Sequence, residues 1–258
     1  MLTGLLAGRR FKVAQSNTAI AQQQPLLSDF IGLYKAVLTK KECEEIIQFF
    51  EDCHAAGLTH VGSTISGQNT SIVKDSIDLQ LMNEGLNLPL GYQWACQPEK
   101  HKKITNLLKK QFKNICADYL QGWIDAVASV NPDNAPYNMA EGPVYLSSLQ
   151  IQKYPKGSKG YPAIHCEADN HLMIKRILAP ILYLNDVTDG GCTEVTLANA
   201  IIPPVAGNAM VIPSQPPWYH RGLPSKTQDK YIITTWLEWM PEQGMLELIH
   251  QQENINAS

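Results

Sequence analysis

The chain has 258 residues, 44% hydrophobic and 17% charged, with a formal net charge of −3. That describes a globular protein with room for one large domain and excludes a disordered chain. The near-neutral charge gives no reason to expect nucleic acid or an anionic membrane as partner, and no apolar run approaches the ~20 residues of a membrane span.

Residues 1–28 carry Arg9, Arg10 and Lys12 and no Asp or Glu. They read as an N-terminal tail, with an organellar targeting segment as the alternative. The remainder, 29–258, reads as one domain made of a helical support region, 29–135, and a β core, 143–240. Thr39-Lys40-Lys41-Glu42 is a capping box, and Cys43, Ile46, Ile47 and Phe50 follow at helical spacing, with Gly57 as a stop. Gly62–Ser76 is polar and is a candidate flap. A second helix starts near Pro98, where Ile104, Leu107, Leu108, Phe112, Ile115, Tyr119 and Trp123 make one apolar face. Its lysines, among them Lys102, Lys103 and Lys110, read as a solvated face rather than an anion-binding one. Asn131–Ala140, with two prolines, reads as a linker.

Beyond it the pattern changes. Short apolar runs broken by Gly, Pro, Asn and Asp mark strands over 144–153, 161–168, 177–185, 193–197, 208–213, 218–223 and 229–239. Short strands at this spacing indicate a sandwich or barrel. The six cysteines, Cys43, Cys53, Cys96, Cys116, Cys166 and Cys192, contain no C-x-x-C pair, so a cysteine zinc site is not expected. Thiols in a cytosolic compartment fit a domain too large to need disulfides.

The chemistry begins at His165-Cys166-Glu167. On extended backbone, residues two apart share a face, so an imidazole and a carboxylate aim at one point while Cys166 points away. His220, inside another predicted strand, is the natural third ligand. Two histidines and a carboxylate form the facial set used for non-haem iron(II), although zinc and nickel also bind such donors. Asp169 is a fallback carboxylate. Ten residues past His220 comes Lys230, which shares a strand face with Ile232, Thr234 and Trp236. If that face is the interior, the lysine is a buried cation in need of an anion; alone, it reads first as a surface lysine at a strand entrance.

Together these residues resemble the Fe(II)- and 2-oxoglutarate-dependent oxygenases, in their prolyl 4-hydroxylase-like branch. The matching text is Leu149-Gln150-Ile151-Gln152-Lys153-Tyr154-Pro155, His165-x-Glu167, Arg176, Leu182-Tyr183-Leu184-Asn185-Asp186-Val187, Gly190-Gly191-Cys192-Thr193, Pro203-Pro204, Gly207-Asn208-Ala209-Met210-Val211, His220-Arg221-Gly222, Lys230-Tyr231 and Trp236. The resemblance implies a mainly β fold with supporting helices, a double-stranded β-helix of the jelly-roll, cupin-like kind. It implies Fe(II) on His165, Glu167 and His220, with 2-oxoglutarate and O2 as cosubstrates and ascorbate as an optional stimulant. Lys230 would hold the far carboxylate of 2-oxoglutarate. Tyr154, Tyr183 and Thr193 match positions that hydrogen-bond it, Trp236 lines the same pocket, and Arg176 matches a position near the entrance. The expected reaction oxidises an unactivated C–H bond, with release of succinate and CO2. One departure stands out: the branch usually shows H-x-D, and Glu167 adds a methylene. The substrate is a peptidyl proline or a free small molecule, such as an amino acid that is hydroxylated, desaturated or cyclised. A jelly-roll binding module without catalysis is the reading from another class. Oligomeric state is left open by the sequence.

Overall fold

Residues 30–62, 73–83, 97–130, 144–171 and 173–240 are described by the computed structural model. Helix α1, Lys40–Ala55, starts where the capping box places it. The Glu42 amide donates to the Thr39 hydroxyl at 3.2 Å, and the Thr39 amide donates to the Glu42 carboxylate at 2.8 Å. Gly57, at φ +73°, turns the chain after the helix. Helix α2, Pro98–Val130, buries Ile104, Leu108, Phe112, Ile115 and Tyr119, one side of a 3.6-residue repeat. Lys102, Lys103, Lys110 and Lys113 face solvent, while Lys100 and Lys103 reach Asp52 and Glu45 of α1 at 3.8 and 3.7 Å. The linker 131–140 and most of the candidate flap lie outside the described residues.

Among the described residues, eleven strands follow one another as β1 (Gly32–Tyr34), β2 (His60–Val61), β3 (Ile77–Asn83), β4 (Val144–Tyr154), β5 (Tyr161–His165), β6 (Arg176–Tyr183), β7 (Thr193–Val195), β8 (Ala200–Ile202), β9 (Ala209–Pro213), β10 (His220–Gly222) and β11 (Lys230–Trp239). They form a seven-stranded sheet, β1-β9-β6-β11-β4-β3-β2, and a four-stranded sheet, β5-β10-β7-β8. Pairing is antiparallel throughout the described residues. These are the two halves of a jelly roll, packed face to face rather than hydrogen-bonded into one closed barrel.

Side-chain alternation decides which face meets which layer. Leu149 and Ile151 of β4, Val211 of β9 and Ile233 of β11 pack with Ile46, Phe49, Phe50, Leu108 and Phe112 of the helices. Their neighbours Tyr154, Met210, Ile212 and Ile232 point the other way, into a second core shared with Val195 and Ile202 of the small sheet. The helices therefore stiffen the outer face of the large sheet and leave its inner face to the site. At Gly207, φ is +80° and an added Cβ would lie 2.1 Å from the Leu38 carbonyl oxygen, so only glycine lets the segment before α1 dock there.

The support region is more than helical. Three strands come from it, and β3 is an interior strand paired with β4 on one side and β2 on the other. Its sequence Ile-Asp-Leu-Gln-Leu alternates with period two, but seven residues beside a polar stretch carry too little pattern to stand out. Strand β8, at three residues, is shorter still.

Candidate active site

His165 ends β5 and His220 begins β10, and the two are directly opposed in the antiparallel register. Their rings lie 4.4 Å apart, centroid to centroid. Glu167 sits just past the end of β5, in a turn, and its Oε1 approaches His165 Nε2 at 3.6 Å and His220 Nε2 at 3.5 Å. One potential ligand atom from each of the three lies within 4.8 Å of the others. The chain is turning at this point, and Cys166, buried beside the cavity, is not among the clustered ligands. Asp169 is exposed and stands outside the cluster.

The remaining nitrogens and oxygens fix the ligands' orientation. His165 Nδ1 lies 2.9 Å from the Ala163 carbonyl and His220 Nδ1 lies 3.3 Å from the Trp218 carbonyl. A proton on each Nδ1 leaves both Nε2 lone pairs for a metal. Tyr161 stacks on the His165 ring, centroids 4.1 Å apart. Glu167 Oε2 accepts from Trp236 Nε1 at 2.8 Å and from Arg176 Nη1 at 3.1 Å. Oε1 is thus the oxygen turned toward the histidines. Burial alone would raise the Glu167 carboxyl, but the hydrogen bonds and charges of His165 and His220 hold it well below the usual carboxylate range. Burial likewise opposes a charge on His165, and Glu167 outweighs it, so the imidazole is raised. Two imidazole nitrogens and one carboxylate oxygen facing one point are a donor set that would hold iron(II) from one side.

Arg176 is not at an entrance. It is 7% exposed, forms ion pairs with Glu167 and Glu238 at 3.1 and 3.5 Å, and its guanidinium lies 3.8 Å from the centroid of the Trp236 ring. Its place in the site is to hold Glu167.

Lys230, Ile232, Thr234 and Trp236 all line one cavity of about 270 Å³ together with His165, Glu167 and His220. Lys230 is 3% exposed, with its ammonium 5.6 Å from the Tyr154 ring centroid and 5.8 Å from that of Tyr183. Among the described residues no carboxylate pairs with it. Burial pushes its pKa down to about 8. Tyr154 and Thr193 line the cavity too, whereas Tyr183 stands behind, its hydroxyl donating to Thr193 Oγ1 at 2.8 Å. Gly160 borders the cavity at φ +75°; a Cβ there would meet the Gly222 carbonyl at 2.6 Å.

A polar wall went unnoticed in the sequence. Gln150, Gln152 and Tyr154 alternate along β4 and face Thr234, Ile232 and Lys230 of β11. Tyr154 donates to Gln152 Oε1 at 2.8 Å, Gln152 Nε2 to Gln150 Oε1 at 3.0 Å, and Gln150 Nε2 to Asp78 Oδ2 at 3.0 Å. Asp78, fully buried, also accepts from Ser76 at 2.7 Å and from Lys74 at 2.6 Å. The two glutamines and the tyrosine, spaced by two, were the available signal.

Residues 149–238 match the 2OG-Fe(II) oxygenase superfamily. Three solved structures share the fold. A prolyl hydroxylase from Trichoplax adhaerens, in complex with a hypoxia inducible factor peptide fragment, aligns at TM-score 0.60 and 14% identity, covering 83% of this chain and 85% of that one. A viral collagen prolyl hydroxylase from Paramecium Bursaria Chlorella virus-1, in complex with 2OG, aligns at 0.51 and 16%, covering 82% and 97%. A Pseudomonas putida prolyl-4-hydroxylase aligns at 0.51 and 15%, covering 81% and 92%. No curated protein sequence matches the chain.

Proposed function

Since residues 149–238 match the 2OG-Fe(II) oxygenase superfamily, we propose that the chain is a 2-oxoglutarate-dependent dioxygenase that uses Fe(II) and O2 to hydroxylate an unactivated C–H bond, with release of succinate and CO2. The observation that carries this reading is Lys230, a buried ammonium without a carboxylate partner among the described residues, in the same cavity as the His165, Glu167 and His220 cluster. A dicarboxylate is the ligand that would satisfy both ends of that cavity.

Iron(II) with 2-oxoglutarate and O2 supplies the oxidising chemistry. His165, Glu167 and His220 would hold the metal from one side and leave the opposite side to ligands. Trp236 and Arg176 hold Glu167 Oε2 and so keep Oε1 aimed at the metal position. Lys230 would neutralise the far carboxylate, with Tyr154 and Thr193 beside it, and Ile181 and Ile232 exclude water from the cavity between.

A peptidyl proline is one substrate class, supported by the fold shared with prolyl hydroxylases. A small polar molecule is the other, and the charged and amide-bearing lining of the cavity supports it. The assay is succinate formation from 2-oxoglutarate with iron(II). Turnover is expected in the wild type and lost in His220→Ala and Lys230→Ala. Unimpaired turnover in either variant would exclude the assignment. For the described residues, no helix is long and apolar enough to cross a membrane.

A further inference from the structure

Lys74 has no place in the reaction outlined above, yet it lines the same cavity while only 5% exposed. We propose that Lys74 is the specificity-determining cation that binds a carboxylate of the primary substrate, making that substrate a small carboxylic acid rather than a peptide. The inference rests on the oxygenase reading and deepens it.

The geometry separates two cation positions. Asp78 of β3 lies opposite Gln152 of β4, which lies opposite Ile232 of β11. Neighbouring strands are ~4.8 Å apart, so the Lys74–Asp78 pair sits roughly 10 Å across the sheet from the strand that carries Lys230. Lys230, without a carboxylate partner among the described residues, is taken by the cosubstrate. The second cation is left for a second ligand.

Lys74 is built to present its charge. An ammonium has three N–H donors. Among the described residues Lys74 spends one, on Asp78 at 2.6 Å. Asp78 is itself fully buried and already accepts from Ser76 and Gln150, so it positions the lysine and does not meet the ligand. A buried ion pair of this kind contributes little net stability over apolar residues of the same volume, so packing alone gives no reason to keep it at a cavity wall. Gln150, Gln152 and Thr234 add polar groups to the cavity that Lys74 and the metal cluster share, and Ile181 and Ile232 supply apolar surface for a carbon chain. The pair is neutral overall, with Asp78 behind the lysine. That suits a singly charged carboxylate and disfavours a doubly charged phosphate.

The test compares free amino acids and other small carboxylic acids, each beside its own primary amide, together with prolyl peptides, as stimulants of succinate formation by the full chain with iron(II). At least one acid is expected to exceed its amide in kcat/KM by about tenfold or more. Lys74→Met should bring that ratio to about one, and Lys74→Arg should keep it well above one. Loss of fold would lower acid and amide together and leave the ratio unchanged, so the ratio isolates recognition. Stimulation by peptides alone, equal use of acid and amide, no stimulation by any acid, or a preserved ratio in Lys74→Met would overturn the inference. If the wild type converts no 2-oxoglutarate even without substrate, the oxygenase reading itself fails and this inference falls with it.

Discussion

Lys230 and Tyr154 face each other across β11 and β4, with the ammonium over the ring at 5.6 Å. The tyrosine offers its π face, while its hydroxyl is committed to Gln152 Oε1. Among the described residues the cation is therefore screened by an aromatic ring and left without a carboxylate.

A pH dependence follows. Burial lowers the Lys230 pKa to about 8, so below pH 8 the free protein presents an ammonium, and above it a neutral amine that must take up a proton to bind a dianion. The dissociation constant for 2-oxoglutarate, measured anaerobically with iron(II), is expected to be flat below about pH 7 and to rise roughly tenfold per pH unit above 8. Lys230→Arg keeps its charge throughout and should flatten that rise. A flat wild-type profile up to pH 10 would remove Lys230 from cosubstrate binding.

The same burial costs stability. A lysine whose folded pKa is about 8 rather than 10.5 destabilises the fold by roughly 3 kcal/mol wherever it is charged. The cost is fully present below pH 8 and fades as pH rises toward 10.5, because there the unfolded chain holds the extra proton. Lys230→Met should melt several degrees higher than wild type at pH 7, and 2-oxoglutarate should no longer raise its melting temperature. A lower melting temperature for the variant would show that the ammonium is satisfied in the free protein.

Trp236→Phe keeps a ring against Arg176 but removes the donor to Glu167 Oε2. Outer contacts of this kind are worth about 10–100-fold in metal affinity. Iron(II) binding, measured by competition with a chelator, is expected to weaken within that range. Unchanged affinity would leave Arg176 as sufficient to orient the carboxylate.

Asp78→Asn leaves Lys74 buried without its charge partner. Losing one member of such a pair costs about 3–5 kcal/mol, which in a domain of this size lowers the melting temperature by roughly 10 °C. The double change Asp78→Leu with Lys74→Met should recover most of the loss. Thermal denaturation of the three proteins checks both statements, and a double variant as unstable as Asp78→Asn would contradict the charge argument.

What could be read ahead of the structure depended on spacing. The face shared by Lys230, Ile232, Thr234 and Trp236 followed from strand periodicity, and α1 from four residues of a capping box. The pairing of His165 with His220 came only from residue type, since nothing local states that β5 and β10 are neighbours. Arg176 was misplaced because a lone arginine gives no sign of Glu167 and Glu238 waiting for it across the sheet. Asp78 was missed for a related reason: Gln150, which donates to it, lies 72 residues further on, and a long-range hydrogen bond leaves no local pattern; Lys74, four residues before Asp78, offered only a common charge spacing.

Among the described residues, β5 is an edge strand of the small sheet, with β10 as its single neighbour. Its register rests on two opposed pairs, His165 with His220 and Tyr161 with Gly222. An ion shared by the first pair would act as a cross-link at the end of that edge, where a second neighbouring strand would otherwise be needed. Slippage by one residue would turn the strand's side chains over and take His165 out of the cluster. A metal held by both histidines would therefore pin the register of β5 on β10, and an apoprotein would lack that cross-link.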